Sequence, residues 1–172
     1  MIDVEGSTPL RVTESRGNVF SPTWSPDGQL AFAWSPVANT EIYVFSPQLV
    51  ETMDSHTPVP SPQRITNSYY TDTAPAWSPD GEWIAFVSDR AGTSDVYLMR
   101  PDGNDLHALT ATNDRDANPT WSPDGRRLAF VSNRDGARTI YMMWSDGSDV
   151  RRLLDAVSED NRPAWRPGSP LS

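Results

Sequence analysis

The chain has 172 residues but no cysteine, no lysine and only two histidines. Without cysteine it can form neither a disulfide bond nor a thiolate metal site, and two histidines give little support to a zinc centre. Long apolar runs are also missing, and no stretch approaches the ~20 residues that a transmembrane helix needs. Residues 1–6 have neither the basic nor the apolar segment of a secretory signal peptide.

Positive charge is scarce as well, since 14 arginines face 23 acidic residues and the formal net charge is −9. An acidic surface repels nucleic-acid phosphates and anionic lipid headgroups. We therefore expect no nucleic-acid partner and no membrane insertion. The 16 prolines argue against a helical bundle, whereas seven tryptophans, five tyrosines and five phenylalanines are too much core material for a disordered chain. An all-β protein is the class that remains.

An internal repeat runs through most of the sequence. The segment Trp-Ser-Pro-Asp-Gly occupies residues 24–28, 77–81 and 121–125, and a decayed fourth copy begins at Trp165. Residues 74–117 align without gaps with residues 118–161 and share 19 identities in 44 positions. Each unit predicts four short strands, which we call a, b, c and d. Strand a carries the tryptophan, and the Pro and Gly of the following turn supply its backbone angles. Strands b and c are apolar at nearly every position, so both sheet faces should be buried.

Four strands in about 44 residues are the pattern of a β-propeller blade. The tryptophan motif, followed by segments such as residues 84–88 (Ile-Ala-Phe-Val-Ser) and 96–99 (Val-Tyr-Leu-Met), resembles the WD-like repeat of the TolB-type propeller family. The resemblance covers about residues 8–167. It implies a fold but no particular activity, because such blades also occur in tricorn-type and prolyl-oligopeptidase-type proteases.

The phase of the repeat predicts an incomplete propeller. We expect an N-terminal segment at 1–17 with a lone outer strand, blade 1 at 18–72 with a Pro-rich insertion at 46–63, blade 2 at 73–117, blade 3 at 118–161, and the lone first strand of a further blade at 162–172. Three blades are too few for a ring of four to eight. An open arc would expose apolar flanks, so we expect the chain to self-associate or to be part of a longer propeller.

Catalytic and metal-binding chemistry find little support in the sequence. The sequence contains no G-x-S-x-G segment, so His56 and His107 have no nucleophilic serine of that kind for which they could act as a base. We therefore expect no enzyme activity from this chain. Residues 114–118 begin like a calcium loop, but Pro119 stands where that loop needs glycine and Gly125 where it needs glutamate. We expect no cofactor, although a looser calcium site remains open among the acids of the d–a loops. Those acids are Asp72, Asp114, Asp116, Glu159 and Asp160.

A partner-binding surface is the stronger candidate. In a propeller the b–c hairpins and d–a loops lie on one face, and tyrosine and arginine are enriched at protein interfaces. The candidate residues on that face are Tyr69, Tyr70, Asp72, Arg90, Arg115, Asp116, Arg134, Arg138 and Asp160. For Arg90 and Arg134, which occupy equivalent repeat positions, the favoured interpretation is structural: each binds an aspartate of a neighbouring loop and joins blade to blade.

The tryptophans are assigned by their place in the repeat. The four motif tryptophans should lie in the core between blades, whereas Trp34, Trp83 and Trp144 fall outside the motif and are better candidates for exposure. The function we expect is a non-enzymatic propeller module that binds a protein or peptide. The alternative is the propeller of a larger hydrolase, which gates substrate while another domain supplies the nucleophile. A weaker third hypothesis is a ligand in the central channel. The family resemblance suggests a periplasmic or extracytoplasmic location.

Overall fold

The computed structural model describes residue 13 and residues 17–36, 39–47, 60–153 and 162–166. Within these ranges every regular element is a β-strand, and the strands form three four-stranded antiparallel sheets paired in chain order. The first sheet contains β1 (Asn18–Trp24), β2 (Leu30–Ser35), β3 (Glu41–Phe45) and β4 (Gln63–Arg64). The second contains β5 (Asp72–Trp77), β6 (Ile84–Ser88), β7 (Asp95–Met99) and β8 (His107–Ala108). The third contains β9 (Asp116–Trp121), β10 (Arg127–Ser132), β11 (Thr139–Trp144) and β12 (Arg151–Arg152). The predicted all-β fold of four-stranded blades is confirmed.

Several predicted features fall outside these ranges, namely the N-terminal segment at 1–17 apart from residues 13 and 17, most of the Pro-rich insertion, His56, Glu159 and Asp160. Strands β5 and β9 begin one and two residues before the expected blade boundaries at 73 and 118. Residues 162–166 do not form the expected regular strand.

The Ser-Pro-Asp-Gly turn connects the first strand of each blade to the second. Gly81 has a φ of 74° and donates its N–H to the Ser78 carbonyl at 2.9 Å, a conformation that glycine adopts at little steric cost. The Ser78 hydroxyl donates to the Asp80 carboxylate and accepts the Trp83 N–H at 2.9 Å. The bond from Ser78 lowers the pKa of Asp80. This short-range network turns the chain from strand a into strand b.

The innermost strand of each blade carries a bulge at the same point. Ser21, Ala74 and Asn118 have φ values of 53°, 49° and 52°, and each precedes a proline. The strand register shifts at each of these positions. Because a bulge leaves a residue without a ladder partner and bends its strand, β1, β5 and β9 all bend at this position.

The hydrophobic core lies between successive blades. At each junction the buried residues of one blade are all aliphatic, and the next blade contributes its aromatic side chains together with aliphatic ones. Between blades 1 and 2, blade 1 contributes Ala31, Ala33, Ile42 and Val44, and blade 2 contributes Trp77, Ile84, Phe86, Tyr97 and Met99. Between blades 2 and 3, blade 2 contributes Ala85, Val96 and Leu98, and blade 3 contributes Trp121, Leu128, Phe130, Tyr141 and Met143.

The tryptophan assignments are partly confirmed. Trp77 and Trp121 are 7% and 9% exposed, in the predicted core. For Trp24 the prediction is wrong, because it is 51% exposed: it heads blade 1, and no blade in the described ranges precedes it. Outside the motif, Trp144 is exposed as expected, whereas Trp34 and Trp83 are partly buried.

Two buried tryptophans offer a matched test of the inter-blade hydrogen bond. The Trp121 Nε1 donates to the Ala76 carbonyl at 3.0 Å, whereas the Trp77 Nε1 is buried without a partner in the described ranges. Trp→Phe removes similar packing at both sites but breaks a bond only at Trp121, so W121F should lose about 1–3 kcal/mol more stability than W77F. Urea unfolding of both variants measures the difference. Equal losses would show that the bond contributes nothing.

Candidate functional site

The b–c hairpins and the d–a loops meet on one side of the blades, which we call the loop face. It comprises residues 36, 39–40, 67–71, 89–94, 111–115 and 133–138. The Thr71 N–H donates to Asp89 Oδ1 at 2.8 Å, and the Arg115 N–H donates to Asn133 Oδ1 at 2.6 Å. In blades 2 and 3 a b–c side chain thus holds the backbone of the d–a loop that leads into the same blade. The structure brings these two sets of loops together, as predicted.

An Asp–Arg clamp closes this end of blade 2. Arg90 Nη2 donates to both Asp72 carboxylate oxygens at 3.0 and 3.1 Å, and Arg90 Nε donates to the Ser88 hydroxyl at 2.8 Å. The guanidinium lies over the Tyr97 ring, 4.9 Å from its centroid. Burial raises the pKa of Asp72, and the contacts from Ser88 and Arg90 offset this only in part. The clamp therefore partly offsets the free-energy cost of burying the Asp72 carboxylate.

Blade 3 repeats the clamp with Asp116, Arg134 and Ser132. In both blades the two charges belong to the same sheet, so the predicted join from blade to blade is wrong: the arginine fastens strand a to the b–c hairpin within one blade. Asp72 and Asp116 are fully buried. They are therefore not accessible to a partner, which corrects their place among the candidate contact residues.

Blade 1 has none of the three clamp residues at the equivalent positions. The pairing of Val19 with Trp34 corresponds to that of Asp72 with Ser88, and the position two residues beyond Trp34 is Pro36. Apolar residues thus replace the acid, the hydroxyl and the arginine together. Because the acid and the arginine are both absent, blade 1 has no unpaired buried charge at these positions.

The side chains of Asn39 and Glu41 hold the backbone of the d–a loop before blade 2. Asn39 Nδ2 donates to the Ser68 and Tyr70 carbonyls at 2.6 and 3.0 Å, and the Ser68 N–H donates to Glu41 Oε1 at 3.0 Å. Burial favours a higher pKa for Glu41, but hydrogen bonds from Thr66, Ser68 and Arg64 outweigh it and lower the pKa from its usual 4.5. Sequence reasoning missed these two anchors, because an asparagine and a glutamate in a strongly polar chain carry no distinguishing signal.

The side chains of this pinned loop face solvent. Tyr69 is 101% exposed and Tyr70 is 46% exposed. Arg115, on the next d–a loop, and Arg138, on the b–c hairpin of blade 3, are also exposed. Of the nine candidate residues, these four are accessible on the loop face, Arg90 and Arg134 are engaged in clamps, Asp72 and Asp116 are buried, and Asp160 lies outside the described residues.

A cavity of about 190 Å³ lies where the bulges of β1, β5 and β9 meet residues 162–163. Sequence reasoning anticipated a central channel but no residue of it. The described residues that line it are Ser21, Pro22, Thr23, Ala74, Pro75, Ala76, Asn118, Pro119, Thr120, Arg162 and Pro163. We call it the axial cavity. Arg162 Nη2 donates to the Ser21 hydroxyl at 3.3 Å, which joins positions 141 residues apart.

No three histidine, aspartate or glutamate side chains of the described part of the chain converge as metal ligands would. The calcium hypothesis thus gains no ligand set from these residues. No helix in the described ranges has the length and apolar character that a membrane crossing needs.

Comparison with known proteins matches residues 1–169 to the model of the TolB beta propeller domain. The Tol-Pal system protein TolB of Bordetella pertussis is 34% identical, and the alignment covers 60% of this chain and 32% of that protein. The crystal structure of TolB from Acinetobacter baumannii superposes with a TM-score of 0.70 at 25% identity, covering 88% of this chain and 36% of that one.

A puromycin-hydrolyzing peptidase of Mycobacterium tuberculosis has a TM-score of 0.66 at 20% identity, covering 84% of this chain and 23% of the peptidase. At that identity the likeness extends to the fold alone. The chain spans about a third of the length of the curated relatives that it matches.

Proposed function

The chain belongs to the TolB β-propeller domain family, and from that premise we propose that it is a non-enzymatic module that binds a protein or peptide partner on its loop face. The observation that carries the proposal is the pinned loop at 67–71, whose backbone is held by Asn39 and Glu41 while Tyr69 and Tyr70 face solvent.

Rigid exposed tyrosines suit such a role for an energetic reason. An interface side chain that is ordered only on binding costs about 0.5–1.5 kcal/mol, and tyrosine supplies a large contact area with few rotatable bonds. The hydrogen bonds to the Ser68 and Tyr70 carbonyls fix the backbone before a partner arrives. The surrounding loop face adds the exposed Arg115 and Arg138, a residue type enriched in binding hot spots.

The clamps have a supporting part in this proposal. Arg90 and Arg134 hold the roots of the b–c hairpins, and Asp89 and Asn133 of those hairpins anchor the d–a loops. They are positioning residues, whereas Tyr69, Tyr70, Arg115 and Arg138 would contact the partner.

The name of the Bordetella pertussis relative suggests which partner to examine, a protein of a Tol-Pal system. The family resemblance points to a periplasmic or extracytoplasmic setting for that encounter. The three described blades would be completed either by a second copy of the chain or by further blades of a longer protein. The exposed Val19, Phe20 and Trp24 on β1 are consistent with a flank that another blade covers.

Loss of the two tyrosines should abolish the proposed interaction. We expect the Y69A/Y70A variant to bind a purified Pal protein about 1,000-fold more weakly than the natural chain, because two hot-spot side chains cost about 2 kcal/mol each. Calorimetric titration measures the affinity. The control is L106A, which removes an exposed apolar side chain at the opposite end of blade 2 and should bind normally. Equal binding by Y69A/Y70A and the natural chain would contradict the loop-face site, and no binding by any of them would contradict Pal as the partner.

The alternative function is that of a propeller that gates substrate in a larger hydrolase. The likeness to peptidase propellers makes the architecture compatible with it. Sequencing of the gene beyond codon 172 discriminates between the two, since the hydrolase hypothesis requires an α/β domain with a nucleophile in the same reading frame.

A further inference from the structure

We propose that the axial cavity binds one small oxyanion group, a carboxylate or a phosphate, held by Arg162 with the polar side chains of Ser21 and Asn118. This site is separate from the loop-face surface and does not depend on the partner proposed for it.

The cavity is formed by one column of the repeat. Ser21, Ala74, Asn118 and Arg162 each stand immediately before the proline of an inner segment. Proline follows in all four copies, whereas the residue before it changes from serine to alanine, asparagine and arginine. The repeat therefore brings a hydroxyl, an amide and a guanidinium to the lining of one cavity.

The charge of the cavity is opposite to that of the chain. Arg162 is the only charged residue among the described lining residues, in a chain whose net charge is −9. It forms no ion pair with a described residue. The acids two positions before Ala74 and Asn118 are already neutralised by the clamps. The positive charge is therefore uncompensated by the described lining.

The donors and the size select the ligand. A guanidinium presents paired N–H groups that match carboxylate or phosphate oxygens, and the Ser21 hydroxyl and the Asn118 amide can add further donors. The cavity of about 190 Å³ is smaller than the ~300–1,000 Å³ of pockets for drug-sized ligands. It therefore fits a free anion or the charged tip of a larger ligand, and is too small for a whole nucleotide.

Titration of the full chain with inorganic phosphate tests the site, with acetate as a second arm, at constant ionic strength and with NMR detection. We expect saturable binding in at least one arm, and the arm that saturates identifies the oxyanion. R162Q should weaken binding at least ~10-fold, since a hydrogen bond to a charged group is worth about 1.5–3 kcal/mol. The matched control is R166Q, which removes an exposed arginine of the same segment outside the lining and should change the affinity less than ~2-fold.

Thermal unfolding of both variants verifies that they fold. N118A supplies a second measurement that leaves the charge in place, and it should weaken binding by a few fold. Three results would overturn the proposal: no saturation in either arm, unchanged affinity in R162Q, or equal weakening in R162Q and R166Q, since the last would mean that only general surface charge attracts the anion.

Discussion

Replacement of Arg90 by methionine should cost about 3–5 kcal/mol of stability at pH 7, the usual result of leaving a buried carboxylate without its partner. Asp72 has no exposed side-chain surface and Arg90 only 17%. The substitution removes the two bonds from Arg90 to the carboxylate, the bond to Ser88 and the contact with the Tyr97 ring. Urea unfolding of R90M beside the natural chain measures the loss.

The pH dependence identifies the cause. Burial already raises the pKa of Asp72 above its usual 3.8, and R90M removes the cation that opposes this rise. A folded-state pKa above the unfolded value means that the folded variant gains a proton first as the pH falls. The deficit of R90M is therefore complete above that raised pKa and shrinks as the pH falls toward the unfolded value.

Two further variants control this experiment. D72N in the R90M background removes the stranded charge and should recover part of the loss at pH 7. R126M removes an exposed arginine of a turn and should stay within about 0.5 kcal/mol of the natural chain. A deficit that grows on acidification, or an R90M variant as stable as R126M, would contradict the clamp.

Truncation of Phe86 to alanine should cost about 3–5 kcal/mol, the range for a fully buried aromatic side chain. Phe86 has no exposed surface, and its ring centroid lies 5.9 Å from that of Tyr97, in the cluster that joins blades 1 and 2. The lost ring leaves a cavity at a junction to which blade 1 contributes Ala31 and Ala33, whose methyl groups are too short to fill it.

Phe130 provides a parallel case at the junction of blades 2 and 3, and F130A should lose a similar amount. Y69A, at a fully exposed position, is the control and should stay within about 0.5 kcal/mol. Denaturant unfolding of the three variants gives the comparison. A loss below 1 kcal/mol in F86A would mean that the blades do not depend on this junction.

The four-stranded blade could be predicted because its signals are local. The turn at 78–81 is fixed by Ser78, the Pro and Asp that follow it, and Gly81, all within four residues. The apolar runs on both sides of each b–c hairpin pair with each other over a short loop. Local chemistry of this kind reads directly from the sequence.

The fate of individual charged side chains could not be predicted in the same way. The repeat predicted an aspartate partner for Arg90, but it did not predict that this partner is the buried Asp72 of the same blade. Asp72 lies 18 residues from Arg90 and pairs with it only after the strands have registered. Trp24 was misassigned for a related reason, since burial of a motif tryptophan requires a preceding blade to pack against.

The sequence by itself determined the repeat, the turn chemistry, the strand order within a blade and the family, because each depends on neighbours along the chain. Only the tertiary structure decided which acids are buried, which tyrosines stand exposed on a pinned loop, and that Ser21, Asn118 and Arg162 surround one cavity. The physical reason is distance along the chain. Contacts such as that of Arg162 with Ser21 join residues 141 positions apart, and no local preference specifies them until the blades have packed against one another.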